Sequence, residues 1–301
     1  MNAPPVPYRG RFAPTPSGPL HFGSIIAATG SFLDARAQGG AWHLRIDDLD
    51  PPRTVPGAAD AIVATLDRFG FRWDGPVVRQ SERTPAYAAA LQSLMTRAHV
   101  YRCTCSRTEI ARAGLSGIEG PRYPGTCRGG PSHPDRAVAH RLDVRGTTVT
   151  FEDRLQGAVT QSLESAIGDF VLQRADGVFA YHLACAVDDA EAGFTHVVRG
   201  TDLLASTPRQ IHLQRLLGYP IPAYLHLPVA TDAAGLKLSK QTRAAPVDDR
   251  NPLPTLLRAL AFLGLAPPTA LTGVPLADLW GWAIPAWRAA LDASFRSLRP
   301  L

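Results

Sequence analysis

Apolar positions along this chain change their spacing several times. Residues 10–13, 42–46 and 195–198 are short apolar runs of strand length, with the first strand reaching back to Tyr8. Residues 25–37, 57–69, 85–98 and 203–217 instead carry apolar positions at helical spacing. Strands alternating with helices predict an α/β fold: a parallel sheet covered by helices on both faces, with a ligand crevice at the strand C-terminal ends. From about residue 100 to 168 the sequence is turn-rich, with shorter β-like runs at 137–144 and 147–151. That change predicts an insertion between two halves of a nucleotide-binding domain. Residues 254–263 are again apolar and periodic, and 276–291 read as a helix holding three of the five tryptophans. The expected division is 1–99 and 169–241 for the two halves, 100–168 for the insertion, and 242–301 for a short helical region.

Composition narrows the class without naming a chemistry. With 301 residues, 45% of them hydrophobic, the chain can bury a sizeable core in one large domain or two smaller ones. A net charge of +5 is modestly basic and consistent with phosphate contact. No apolar run reaches the length of a membrane span, and MNAPPVPYRGR lacks the apolar core of a signal peptide. The expected protein is cytoplasmic, monomeric and free of membrane. There is no internal repeat, and Pro/Gly clusters are confined to the N-terminus and to residues around 120–134 and 266–275.

Candidate chemistry begins with the cations. Of 31 Lys plus Arg only two are lysines, Lys237 and Lys240, flanking Leu238 and Ser239. Lysine is a compact point charge on a flexible stem where arginine is a planar fork, so a site that keeps lysine against this bias suits a moving phosphate. A second stretch, Arg11 to Ser24, runs from a strand through a Pro/Gly turn into the helix at 25–37. A turn emptying onto a helix N-terminus offers backbone N–H groups and a positive dipole end to phosphate. Gly23 permits close approach, and His21 can donate to a phosphate oxygen. The spacing matches neither the dinucleotide nor the P-loop pattern.

Three of the four cysteines, Cys103, Cys105 and Cys127, fall in the turn-rich segment. Where thiols stay reduced, such a cluster suggests a metal sooner than a disulfide. Zinc asks for four ligands. Judged by donor chemistry, His99, His133 or His140 would complete the set better than Tyr123, whose neutral phenol is a poor ligand. Cys185 stands apart, as a buried small residue or part of a pocket wall.

The paired motifs resemble the ATP-binding signatures of class I aminoacyl-tRNA synthetases. Residues 14–24 are similar to the "HIGH" region and KLSKQ at 237–241 to the "KMSKS" loop. The blocks GRFAPTPSGPLHFGS, LRIDDLDPPRTVPGAA, YRCTCSRTEI, DGVFAYHLACAVDDAEAGFTHVVRGTDLLASTPRQ, YLHLPVA and KLSKQ follow the order of the glutamyl/glutaminyl branch over roughly four-fifths of the chain. The resemblance is greatest to shortened paralogues of glutamyl-tRNA synthetase. About sixty residues follow Gln241, which leaves no room for the large anticodon-binding region of the longer enzymes.

This resemblance implies a Rossmann-like catalytic domain with an inserted zinc-containing subdomain that touches tRNA. It implies Cys103, Cys105, Tyr123 and Cys127 as ligands of one structural Zn²⁺. L-Glutamate would be held by Arg11, Ala13, Thr15, Asp47, Tyr181 and Arg199, with Arg11 on its side-chain carboxylate and Asp47 on its ammonium. ATP with Mg²⁺ would meet His21, Gly23, Lys237, Ser239 and Lys240, of which His21, Lys237 and Lys240 are the catalytic candidates. The implied reaction forms glutamyl-adenylate and passes glutamate to a cyclopentenediol hydroxyl of queuosine in the anticodon of tRNA(Asp). Four positions depart from the pattern. Asp47 replaces a Glu and Thr15 a Ser, Ser24 replaces the last residue of "HIGH", and Cys185 stands where glutamyl-tRNA synthetases often have Asn. A compact synthetase charging a tRNA 3′ end stays open, as does a non-catalytic tRNA-binding paralogue. A ligase acting on a small amine would leave the glutamyl-group blocks without a reason.

Overall fold

The computed structural model describes residues 7–97, 99–230 and 245–292. The first part of the chain forms β1 (Arg9–Phe12), α1 (Phe22–Ala37), β2 (Ala41–Ile46), α2 (Ala58–Arg68), β3 (Val78–Arg79) and α3 (Thr84–Thr96). There follow β4 (Val100–Cys103), α4 (Arg107–Arg112), β5 (Ser116–Gly117), β6 (Gly120–Pro121), β7 (Ala139–Leu142), β8 (Thr148–Asp153), β9 (Gly157–Ser162), α5 (Leu163–Ala166) and β10 (Val171–Gln173). The last part holds α6 (Tyr181–Glu191), β11 (His196–Gly200), α7 (Thr207–Leu217), β12 (Ala223–Leu227), α8 (Pro252–Phe262) and α9 (Leu276–Asp292).

Parallel pairing runs β1 to β2 to β3, and again β11 to β12 to β8. The two sets abut where the Thr195 N–H donates to the Arg9 carbonyl at 2.9 Å, just before β11. The strand order thus reverses between β1 and β11, which is where an open parallel sheet leaves its ligand crevice. Strand β8, inside the turn-rich segment, joins this sheet beside β12 and pairs antiparallel with β9. A separate antiparallel sheet, β10-β7-β4, carries the cysteine-bearing loops.

Each central strand sorts its residues by parity. Phe12, Leu44, Ile46, Val198, Leu225 and Leu227 join a core with α1, α8 and α9, whereas Val197 and Tyr224 pack on the other side with α3, α6 and α7. The period of two that alternates side chains across a strand places Arg11, Arg45, Asp47, Arg199 and His226 on that second side. Helix α1 is buried nearly throughout, because the sheet lies beneath it and the C-terminal helices above. Gly30 makes its approach to the sheet possible: a Cβ there would lie 2.3 Å from Leu227 Cδ1. The tryptophans of α9 close this core, Trp280 donating to the Phe69 carbonyl and Trp287 to Asp34 Oδ1 at 3.3 and 3.4 Å.

Residues 203–217 form two elements where the spacing predicts one. Thr201–Ser206 is a 3₁₀ turn and α7 begins at Thr207, with Pro208 in its first turn, where its missing N–H costs nothing.

Candidate active site

A cavity of about 590 Å³ opens at the C-terminal ends of β1, β11 and β12. Arg11, Ala13, Thr15, His21, Gly23, Tyr181 and Arg199 all line it. The turn from β1 delivers Thr15 and His21, and Gly18 takes it through a φ of 130° that a side chain would resist. His21 is the N-cap of α1, so Gly23 and Ser24 bring the first turn of that helix to the cavity wall. On the far side of the KLSK stretch, Pro246 pairs with His21 and the Val247 N–H donates to the Leu20 carbonyl at 3.0 Å. Ala230, before that stretch, also lines the cavity. Lys237, Ser239 and Lys240 themselves lie outside the described residues.

A second cavity, of about 750 Å³, adjoins the first, sharing Thr15 and Tyr181. Asp47 lines this second space, together with Asp50, Arg107, Arg141, Arg174 and His182. It lies between the sheet and the β4–β7–β10 layer. One ligand spanning both cavities would pass Tyr181, whose phenol is pushed up mainly by burial and so stays protonated.

Beneath the floor lies a buried charge network that the sequence did not announce. Arg11 donates Nε and Nη2 to Asp189 at 3.1 and 3.2 Å, so the fork expected to grip a substrate carboxylate is closed on α6. Arg45 bridges Asp47 and Asp189, each at 2.7 Å, and Nη2 reaches Cys185 Sγ at 3.4 Å. Burial raises the Asp47 carboxyl, against the opposing pull of Arg45. For Asp189, Arg11 and Arg45 together outweigh burial and draw the carboxyl down to about 2. Neighbouring Asp188 is filled by Gln80, Arg83 and Tyr87.

Arg199 differs from these cations. It is 5% exposed, and its Nε and Nη2 donate to His226 Nε2 at 3.1 Å and Thr207 Oγ1 at 2.8 Å, both neutral groups. Its Nη1 is buried with no hydrogen-bond partner. Among the described residues Arg199 therefore has no carboxylate partner, and an anion in the cavity would supply one.

The cysteines meet as the spacing predicts. The sulfurs of Cys103, Cys105 and Cys127 lie within 4.8 Å of one another, a group that could hold a metal ion. All are free thiols, and Cys105 to Cys127 at 3.5 Å is far beyond a disulfide bond. Ligands of a tetrahedral zinc would stand roughly 3.8 Å apart given Zn–S bonds of about 2.3 Å, so this donor set fits one. The Tyr123 hydroxyl is 3.4 Å from Cys103 and 3.7 Å from Cys105. Among the described residues no histidine or carboxylate joins the group. His133 pairs with Glu109 instead, at 3.0 Å. Ser132, unmarked in the sequence reading, places Oγ 3.3 Å from Cys127. Burial raises the Cys127 thiol, but hydrogen bonds from Ser132, Thr104 and Tyr123 prevail and bring it to about 5. Arg141 donates to Cys103 at 3.2 Å while its guanidinium lies over the Tyr123 ring.

The residues that sequence reasoning missed are Arg45, Asp189, Thr207 and His226. Parity offered one signal, since Arg45 and Asp47 share a strand face. His226 had no such mark.

Comparison with known proteins agrees with this architecture. Residues 7–268 match the family described as tRNA synthetases class I (E and Q), catalytic domain. A glutamyl-Q tRNA(Asp) synthetase of Dechloromonas aromatica is 58% identical over 285 residues, covering 93% of this chain and 94% of the relative. One from Ectopseudomonas mendocina is 53% identical over 291 residues, 97% of each. The crystal structure of a glutamate-tRNA synthetase from Elizabethkingia anophelis superposes with a TM-score of 0.75 at 25% identity, over 93% of this chain and 65% of that one. The chain spans less than two thirds of that longer protein. With family match, relatives and fold in accord, the chain belongs to the class I tRNA synthetases for glutamate and glutamine, a family of ligases, in the branch of the glutamyl-Q tRNA(Asp) synthetases.

Proposed function

We propose that this protein activates L-glutamate with ATP and transfers it to the queuosine base in the anticodon of tRNA(Asp). The observation that carries the glutamate reading is the unpaired Nη1 of buried Arg199 at the first cavity. A dicarboxylate completes it with one carboxylate and offers the other for activation. The names of the relatives support the acceptor.

In the first step an oxygen of the glutamate α-carboxylate attacks the α-phosphorus of ATP in line. The bond to the bridging oxygen breaks and pyrophosphate leaves with its electron pair. His21 and the first turn of α1, with Gly23, hold phosphate oxygens at the cavity wall. Lys237, Ser239 and Lys240 serve ATP, the two lysines neutralising charge on the leaving group. Mg²⁺ arrives with ATP and needs no dedicated cage. Arg11, Ala13, Thr15 and Tyr181 shape the glutamate pocket, and Asp47 receives the ammonium from the second cavity. Asp47 is held by Arg45 and is one methylene shorter than Glu, so that contact is longer or bridged by water.

In the second step a cyclopentenediol hydroxyl attacks the activated carbonyl carbon, AMP leaves, and the hydroxyl proton passes to solvent or phosphate. The acceptor would enter through the second cavity, which Tyr181 also lines. Cys103, Cys105, Cys127 and Tyr123 hold one structural Zn²⁺, which pins loops of the β4–β7–β10 layer and takes no part in either step. The place of action is the cytoplasm, where thiols stay reduced.

The test is transfer of labelled glutamate, with ATP, to tRNA(Asp) with and without queuosine, beside tRNA(Glu). Label on the queuosine-bearing tRNA(Asp) alone is expected. Label on tRNA(Glu) overturns the acceptor in favour of 3′-end charging, and absence of pyrophosphate exchange overturns the enzyme reading.

A further inference from the structure

We propose that His226 is a positioning residue: anchored by Asp153, it sets the guanidinium of Arg199 to receive the substrate carboxylate. The inference rests on Arg199 being the glutamate-binding cation argued above. Its geometry is independent of that reading.

Asp153 is a buried carboxylate with its acceptor positions taken. It receives the backbone N–H groups of Leu155, Gln156 and His226 at 3.0, 2.9 and 3.1 Å, and stands 2.6 Å from His226 Nδ1. Asp153 is held below the ordinary carboxylate value because these hydrogen bonds outweigh its burial, so it accepts only. The imidazole proton must therefore sit on Nδ1. Nε2 then carries a lone pair, and two groups face it: the Arg199 Nε–H at 3.1 Å, which can only donate, and the Thr207 hydroxyl at 3.0 Å, which can also donate to it. The tautomer is dictated from both sides. Thr207 completes the setting by accepting from Arg199 Nη2 at 2.8 Å, which leaves Nη1 as the donor without a protein partner.

The identity of the holder matters as much as its place. A carboxylate at residue 226 would orient Arg199 equally well but cancel its charge, and the cavity would lose its attraction for an anion. A neutral acceptor orients without neutralising. Burial, with the Arg199 charge against it, keeps the His226 ring below its ordinary value, although Asp153 and Asp202 act in the opposite direction. Tyr224 stacks at 6.0 Å from the ring and brings no charge at neutral pH.

Two measurements test this on the full chain. Nitrogen-15 NMR of the histidine rings at neutral pH should show His226 protonated on Nδ1 and bare on Nε2; a proton on Nε2 overturns the proposal whatever the kinetics. Glutamate-dependent ATP–pyrophosphate exchange then compares the parent with His226→Leu and His226→Gln. His226→Leu should raise the glutamate KM on the order of 10- to 100-fold, the loss of a hydrogen bond to a charged group, and leave the ATP KM within about twofold. His226→Gln returns a neutral acceptor and should recover most of the loss, which a mere packing role would not predict. A folded His226→Leu with parental glutamate KM overturns the positioning role. A parent without exchange instead refutes the glutamate reading and leaves the NMR result to decide the geometry. If His226→Leu does not fold, His226→Gln and the NMR measurement still decide.

Discussion

Arg11 and Asp189 join β1 to α6 through two hydrogen bonds, Nε to Oδ1 at 3.1 Å and Nη2 to Oδ2 at 3.2 Å. Both side chains are nearly inaccessible to water, and Arg45 shares the same carboxylate. Asp189→Asn should therefore cost about 3–5 kcal/mol of unfolding free energy at pH 7, because two buried cations lose their counter-charge. The pH dependence has a definite sign. A carboxyl drawn down from 3.8 to about 2 contributes stability that is complete above its unfolded value and lost as pH falls toward 2. Urea titrations between pH 5 and pH 2 should show a fall in the parent that is shallower in the variant; parallel curves would contradict the assignment.

Arg199→Lys keeps a positive charge but surrenders the fork that holds His226 and Thr207 together at the cavity wall. A glutamate KM raised roughly 10- to 100-fold is expected in pyrophosphate exchange, with a much smaller change for ATP.

Gly30→Ala tests the packing of α1 on the sheet. The added methyl would meet buried Leu227 at 2.3 Å. Overpacking of about 1–3 kcal/mol should exceed the roughly 1 kcal/mol of helix propensity that alanine brings. The melting temperature is expected to fall, and a rise would show that Leu227 yields freely.

The C-terminal helices share one hydrophobic core with α1, β1 and β2. Trp287 is fully buried, donates to Asp34 of α1, and sits in the core that includes Phe32 and Trp42. Trp287→Ala should destabilise by about 3–5 kcal/mol. Since α1 begins at the cavity wall, glutamate activation should fail at a lower temperature in step with unfolding, which paired thermal scans of activity and circular dichroism would reveal.

Metal analysis of the purified protein should return about one zinc per chain, falling toward zero in Cys105→Ser and Cys127→Ser. Tyr123→Phe distinguishes a ligand from a neighbour: retained zinc would make the Tyr123 hydroxyl a hydrogen-bonding neighbour of the sulfurs and leave Ser132 or water as the fourth partner.

Much of the fold was legible because the apolar spacing was strong. Helices α1, α8 and α9 lie within a few residues of where periodicity placed them. Helix α6 was not read as an element, because Asp188 and Asp189 sit among its buried residues and look like a solvent face. Strand β12 suffered similarly from buried His226. The cavity-lining residues were recognisable through motif resemblance. The partners holding them were not, since Asp189 is 178 positions from Arg11 and only folding brings them together.

The parity that separates apolar from charged residues across the sheet also constrains how the chain can fold. A slip of one residue in β1 would thrust Arg11 into the core of α1, α8 and α9, and turn Phe12 toward Asp189. The same slip in β11 would exchange Arg199 with Val198. Each misalignment strands a cation in hydrocarbon, and the slip in β1 also takes Arg11 from Asp189, a penalty far above that of mispairing two apolar strands. The side chains that face the cavity thus act as an alignment key during folding, rejecting wrong strand pairings before any substrate is met.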